Sequence, residues 1–201
     1  MALRKISGWL LSASLLLSAC EKEDPVSLLP DSTQTGQNTG GFLLDGTAYP
    51  ATGWTGSFLG MAGTIPPLVG GYDVSALAPL PGWQVRPEYS LSLNSARGKK
   101  QVTVTLYLRK PQVGQFLLNQ DTGLPPLAPD STVVDHATVY ISEGSSSELY
   151  QTSSRHTGRI VLTVSYPDAA VSAGTFDFTA ASTTNPSNTV TVSAGRFDRK
   201  Q

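Results

Sequence analysis

From residue 87 onward, apolar and polar positions alternate with a period of two. Tyr89, Leu91 and Leu93 alternate with Ser90, Ser92 and Asn94. Val102, Val104, Leu106 and Leu108 alternate with Thr103, Thr105, Tyr107 and Arg109. Successive residues of a strand point to opposite faces, so two such runs around the Gly-containing turn Ser95–Gly98 predict a hairpin with one buried and one wet face. The rhythm returns at Ala137, Val139 and Ile141, at Ile160, Leu162 and Val164, at Phe176 and Phe178, and at Val190 and Val192. Turn residues bound these runs: Gly144–Ser147, Pro167-Asp168 and Asn185–Asn188. Upstream, Phe42-Leu43-Leu44 runs into Asp45-Gly46, a favoured hairpin pair. Residues 54–83 are rich in Gly and Pro, which predicts short strands and long connections. No segment carries a convincing helical period. Five or more short strands at this spacing predict one all-β domain over residues 41–201. It would be an antiparallel β-sandwich, with a small closed or partly open β-barrel as the alternative.

The first 40 residues follow another pattern. Arg4 and Lys5 precede an apolar stretch of residues 6–19 that ends in small residues at Cys20. A charged n-region, a short h-region and a small-residue cut site make residues 1–19 a secretory signal peptide. The run carries several serines and is shorter than the about 20 apolar residues that a spanning helix needs. Residues 21–40 are dominated by Pro, Ser, Thr, Gln and Gly without a period, which predicts a flexible tether over 20–40. Such a chain of about 20 residues would have a root-mean-square span near 25 Å.

Composition narrows the function classes. Cleavage after Ala19 removes two of the 14 basic residues and none of the 15 acidic ones, so the side-chain charge moves from −1 to −3. That balance disfavours nucleic acid, which calls for a concentrated basic face. The single cysteine excludes an intramolecular disulfide, so the domain must be held by packing.

Leu17-Ser18-Ala19-Cys20 resembles the lipobox of bacterial lipoproteins. The resemblance implies a diacylglycerol on the Cys20 thiol, cleavage between Ala19 and Cys20, and a membrane partner held through lipid. Lys22-Glu23-Asp24, just behind the cysteine, is similar to the surface-export signal of lipoproteins in the Bacteroidota phylum; the alternative is a solvated leader. The likeness would place the domain on the outer face of the outer membrane, with the periplasmic face as the alternative. Asp45–Ala51, and more closely Ala173–Ala180 with Thr189–Phe197, resemble a domain-of-unknown-function family of Bacteroidota lipoproteins, number 6252. The likeness implies a lipid-anchored β-domain. The motif residues themselves place Phe176, Phe178 and Phe197 in the core and Gly174 and Gly195 where a strand bends or a neighbouring backbone comes close. The likeness carries over no catalytic or binding residue, and the Gly/Pro-rich stretch 54–83 departs from it.

Catalytic signals are sparse. Of the two histidines, His136 follows Asp135, yet neighbours in a strand face opposite ways and no Gly-x-Ser-x-Gly elbow presents a serine. Asp130, Asp135 and His136 lack the spacing of a calcium loop or zinc site, and no phosphate-cradling loop precedes a helix. No cofactor, metal site or catalytic residue is expected. Aromatic residues are the remaining candidates for a ligand surface: Trp54, Tyr72 and Trp83, with Tyr107 and Tyr140 as further ones, set against their reading as core or rim residues. The leading expectation is a non-catalytic, lipid-anchored module that binds a glycan or protein. The alternatives are an extracellular hydrolase using His136 or His156 and a purely structural envelope component.

Overall fold

The computed structural model describes residues 24–58, 61–73, 88–121 and 134–201. The signal peptide, Cys20, Lys22, Glu23, Trp83 and Asp130 lie outside the described residues. The chain is all-β. In order, the strands are β1 (Thr39–Leu44), β2 (Thr47–Pro50), β3 (Trp54–Phe58), β4 (Met61–Ile65), β5 (Leu68–Tyr72), β6 (Tyr89–Arg97), β7 (Lys100–Leu108), β8 (Gly114–Leu118), β9 (His136–Glu143), β10 (Ser146–Gln151), β11 (Gly158–Tyr166), β12 (Val171–Ser182) and β13 (Thr189–Lys200). Eleven of these form one curled antiparallel sheet in the order β2-β1-β13-β12-β10-β9-β7-β6-β5, with β11 and β8 branching from β12. β3 and β4 make a separate two-stranded ribbon.

The sheet forks at β12. Its residues 171–178 pair with β11, and only Ala181 and Ser182 pair with β10. Two leaves result, β2-β1-β13-β12-β11-β8 and β5-β6-β7-β9-β10, and they fold face to face over the core. Tyr89 on β6 reaches across to hydrogen-bond Ser172 on β12 (3.0 Å). At the far edge, the backbone of β5 is held by side chains of the other leaf: Arg199 Nε donates to the Gly70 carbonyl (2.9 Å), and Gln201 accepts from the Tyr72 N–H (2.9 Å). This arrangement combines sandwich and partly open barrel.

The alternation read from the sequence is the burial pattern. Tyr89, Leu91, Leu93, Val102, Val104, Leu106 and Leu108 are fully buried, as are Ala137, Val139 and Ile160. Each large apolar side chain so buried contributes about 1.5–3 kcal/mol. Phe176 lies among Phe42, Phe178 and Phe197, with ring centroids 6.2–6.5 Å apart. Asp45 (φ 49°) and Gly46 (φ 77°) turn the β1–β2 hairpin as expected. The β6–β7 turn is displaced, because Ser95 is buried and donates to the Pro50 carbonyl (2.6 Å); β6 therefore continues to Arg97 and turns at Gly98.

The larger correction concerns the tether. Its described part, residues 24–38, is bound to the domain. A 3-10 turn at Pro25–Leu28 leads to Leu29, which is buried with Leu43 and Ala48. The chain then wraps the buried carboxylate of Asp198. That carboxylate accepts from Thr33 Oγ1 (2.7 Å) and from the N–H groups of Thr35 (3.0 Å), Gly36 (2.6 Å) and Gln37 (3.1 Å). Burial alone would raise its pKa, but these four donors outweigh it and hold the carboxyl below the usual range. The polar composition of the segment thus serves a carboxylate rather than solvent.

The expected close approaches occur at Gly174 and Gly195. A Cβ at Gly174 would overlap the Val161 carbonyl, and one at Gly195 would overlap the Phe176 ring. Gly195→Ala is therefore expected to lower stability by about 1–3 kcal/mol through overpacking, read as a lower urea midpoint with an unchanged slope.

Candidate functional site

The described aromatic residues proposed for ligand contact, Trp54, Tyr72, Tyr107 and Tyr140, do not form one platform. Tyr72 belongs to the core edge: its ring meets Tyr89 edge-on at 5.3 Å, and its hydroxyl bonds Ser165 Oγ (2.9 Å) and the Val171 carbonyl (3.2 Å). Trp54 is half-buried on the separate β3–β4 ribbon. Tyr107 stacks on His136 at 4.4 Å, and Tyr140 is exposed.

Neither histidine sits in the geometry of a Ser-His-Asp triad. His136 opens β9 as expected, but its ring is buried; Nδ1 lies 2.8 Å from the Val134 carbonyl and Nε2 has no partner. Its neighbour Asp135 instead accepts the Arg109 N–H (2.7 Å). His156 places Nδ1 3.3 Å from Ser153 Oγ, in a turn where that oxygen also accepts the N–H groups of Arg155 (3.3 Å) and His156 (3.1 Å). A catalytic triad needs Nδ1 on the acid and Nε2 on the serine. Here the serine occupies the wrong nitrogen, and the nearby Asp121 binds Ser154. Among the described residues, no three His, Cys, Asp or Glu side chains converge on a metal-sized site.

A different place gathers functional groups. Four connections meet at one end of the sheet: the β1–β2, β6–β7 and β9–β10 turns and the β12–β13 loop. They surround an open cleft of about 730 Å³. Asp45, Lys100, Glu143, Glu148 and Tyr150 line it, with Ser146, Ser147, Ser187, Asn188 and Thr189 supplying hydroxyl and amide groups and Ile141 and Val190 apolar surface. The strand period puts Glu148 and Tyr150 on the same face of β10. Glu148 accepts hydrogen bonds from the hydroxyls of Ser182 and Thr184 (2.7 Å for the latter). These bonds hold its carboxyl below the usual range, so it is charged at neutral pH. Tyr150 is shifted up, first by burial and then by the negative charges of Glu148 and Asp45, so its hydroxyl keeps its proton. Asp45 is fixed by the Thr191 N–H (2.8 Å), and Lys100 lies opposite Glu143 in the β7–β9 register.

Three carboxylates and one ammonium give the lining a net negative charge. Glu148 is shifted in the wrong direction for a general acid, which must keep its proton near neutral pH. What the cleft offers is hydrogen-bond acceptors, hydroxyls and one aromatic ring, a set suited to binding. Sequence reasoning missed it because its residues come from turns far apart in the chain. The one local signal is the pair of acids, Glu143 and Glu148, flanking a Gly/Ser turn.

No family model, no curated protein and no solved structure matches the chain.

The buried His136 carries a pH signature. Burial lowers its pKa below the usual value, against the opposing pull of the Val134 hydrogen bond and the Asp135 charge. The unfolded chain then binds a proton that the folded one resists. The associated stability is complete above the unfolded pKa of about 6.5 and is lost as pH falls toward the lowered value. The melting temperature should fall between pH 7 and pH 5, and by less in His136→Phe, which keeps a ring against Tyr107.

Proposed function

We propose that this chain is an exported lipoprotein, held to the outer membrane or cell surface by lipid on Cys20, whose β-domain is a non-catalytic module binding a polar, carbohydrate-like ligand in the mouth cleft. The anchor reading is supported by Arg4, Lys5 and the apolar run ending in Leu17-Ser18-Ala19-Cys20. The resemblance of Ala173–Ala180 and Thr189–Phe197 to a Bacteroidota lipoprotein family points the same way. The cleft carries the binding reading: carboxylates that accept hydrogen bonds from sugar hydroxyls, serine, threonine and asparagine groups that exchange them, and Tyr150 as a face for an apolar ring surface. The negative lining favours neutral or cationic ligands over sulfated or uronic ones.

Asp24 adds a structural role to its place in the export-like signal. Its Oδ1 accepts the Val26 N–H (3.0 Å) and so caps the 3-10 turn. A test of export should therefore spare it. Replacing Lys22 and Glu23 by Ala is expected to leave the protein lipidated but shielded from protease added outside the cell; unchanged accessibility would refute the export signal.

Two further outcomes are expected. Cys20→Ser loses radiolabelled palmitate, whereas retained label would sink the lipid anchor. On a glycan array, Tyr150→Ala and Glu148→Gln each weaken binding about tenfold, equivalent to about 1.4 kcal/mol, with the circular dichroism of the sheet kept in both variants. An array that stays silent with the intact domain counts against the carbohydrate reading.

A further inference from the structure

Residues 24–38, ahead of β1, are attached in a particular way. None of their contacts is a strand ladder. Asp24 and Ser27 close the 3-10 turn on itself: the Asp24 carboxylate takes the Val26 N–H, and Ser27 Oγ donates to the Asp24 carbonyl (2.7 Å). Val26 and Leu29 pack on Leu43 and Ala48, on the outer side of the β1–β2 hairpin. Arg196 donates to the Val26 carbonyl (3.4 Å). Thr33, Thr35, Gly36 and Gln37 then converge on the Asp198 carboxylate. Asn38 Oδ1 finally accepts from Arg199 Nη1 (2.8 Å) and the Lys200 N–H (3.0 Å). The ladder begins only at Thr39, which pairs with Asp198 in the β1–β13 register.

Two physical consequences follow. The leader is held by the buried Asp198 carboxylate, one small apolar cluster and the bonds of Val26 and Asn38 to Arg196, Arg199 and Lys200; none of these is a ladder bond, so it is detachable without unpairing any strand. Removal of that carboxylate strips the acceptor from three backbone N–H groups and one hydroxyl at once, and unsatisfied donors favour solvent. The attachment therefore behaves as a unit, with Asp198 at its centre.

We propose that residues 24–38 are a latch with Asp198 as its catch, and that the closed latch sets how far the domain can stand from its membrane anchor. This rests on the lipid anchor at Cys20 proposed above. Closed, only residues 20–23 separate the lipid from the docked turn, a reach of about 14 Å fully extended. Released as far as Asn38, the flexible chain has a root-mean-square span near 24 Å, against near 11 Å for four residues. Latched, the mouth cleft works close to the membrane surface, where its ligand would be part of the envelope. Unlatched, it samples a layer about twice as deep.

The test uses the full lipidated protein in vesicles of phosphatidylethanolamine and phosphatidylglycerol. Ser145→Cys in the β9–β10 turn introduces a cysteine for a donor dye, because Cys20 is occupied by lipid; an acceptor dye sits in the bilayer. Two releasing variants are compared: Asp198→Asn, and Leu29→Ser with Thr33→Val, which leaves β13 untouched and covers the case in which Asp198→Asn fails to fold. Energy transfer should fall in both, and cleavage within residues 30–38 by a nonspecific protease should rise about tenfold as local opening becomes easier, while the circular dichroism of the sheet is kept. Unchanged transfer and cleavage in both variants would overturn the latch. So would a wild-type leader that is cleaved as fast as the variants'. Absence of palmitate label would defeat the anchor instead, and the cleavage comparison would still decide the latch.

Discussion

The structure depends on β12 having to pair with two different strands along one edge. Its residues 171–178 take β11, and its last two residues take β10, while β13 occupies the opposite edge. A flat sheet cannot satisfy both partners, so the sheet forks and curls, and the curl creates the enclosed face that the apolar residues fill. Bulges at Leu162–Val164 and Phe176–Phe178 supply the local twist. With a single cysteine in the chain, no disulfide supplements this packing. The glycines at 174 and 195 are where strands and rings come too close for any side chain, which makes them as much part of the core as Phe176.

The core was legible in the sequence because burial on a strand has period two and the chain keeps that period almost without error. Tyr89 through Leu108 declare their inward face residue by residue, and Phe176, Phe178 and Phe197 do the same. β8 was not legible: Gln115, Phe116, Leu117 and Leu118 give no alternation, and the strand exists because β11 offers an edge. The leader was misread for a related reason. Thr33, Thr35 and Gln37 look like solvent-facing linker residues, and only the fold brings the Asp198 carboxylate, more than 160 positions away, within reach. Tyr72, offered by the sequence as either a ligand contact or a core or rim residue, lies at the core edge; its hydroxyl finds two partners across the core that no local pattern reveals.

The cleft follows from the same architecture. Hairpins of an antiparallel sheet place their turns at the ends, and turns tolerate Ser, Asn, Asp and Glu that the strands exclude. Curling the sheet gathers several of these turns into a ring. The polar character of the mouth is therefore a by-product of folding, whereas the fixing of Glu148 by two hydroxyls and of Asp45 by a backbone N–H is a specific arrangement. Groups held that firmly are preorganised and lose little freedom when a ligand arrives.

The two-residue seam between β10 and β12 gives the cleft a thermodynamic meaning. One wall, Asp45 with Thr189 and Val190, belongs to one leaf, and the other, Lys100, Glu143 and Tyr150, to the second. A ligand touching both walls spans the joint where the leaves share two ladder pairs, Tyr150–Ser182 and Gln151–Ala181, with the bonds of Ser182 and Thr184 to Glu148 beside them. Its binding energy would then act as cohesion between the leaves. By linkage, a ligand at a hundred times its dissociation constant adds about 2.7 kcal/mol to the folded state. Occupancy of the mouth and resistance of the whole sheet to opening would become one quantity, readable from either side.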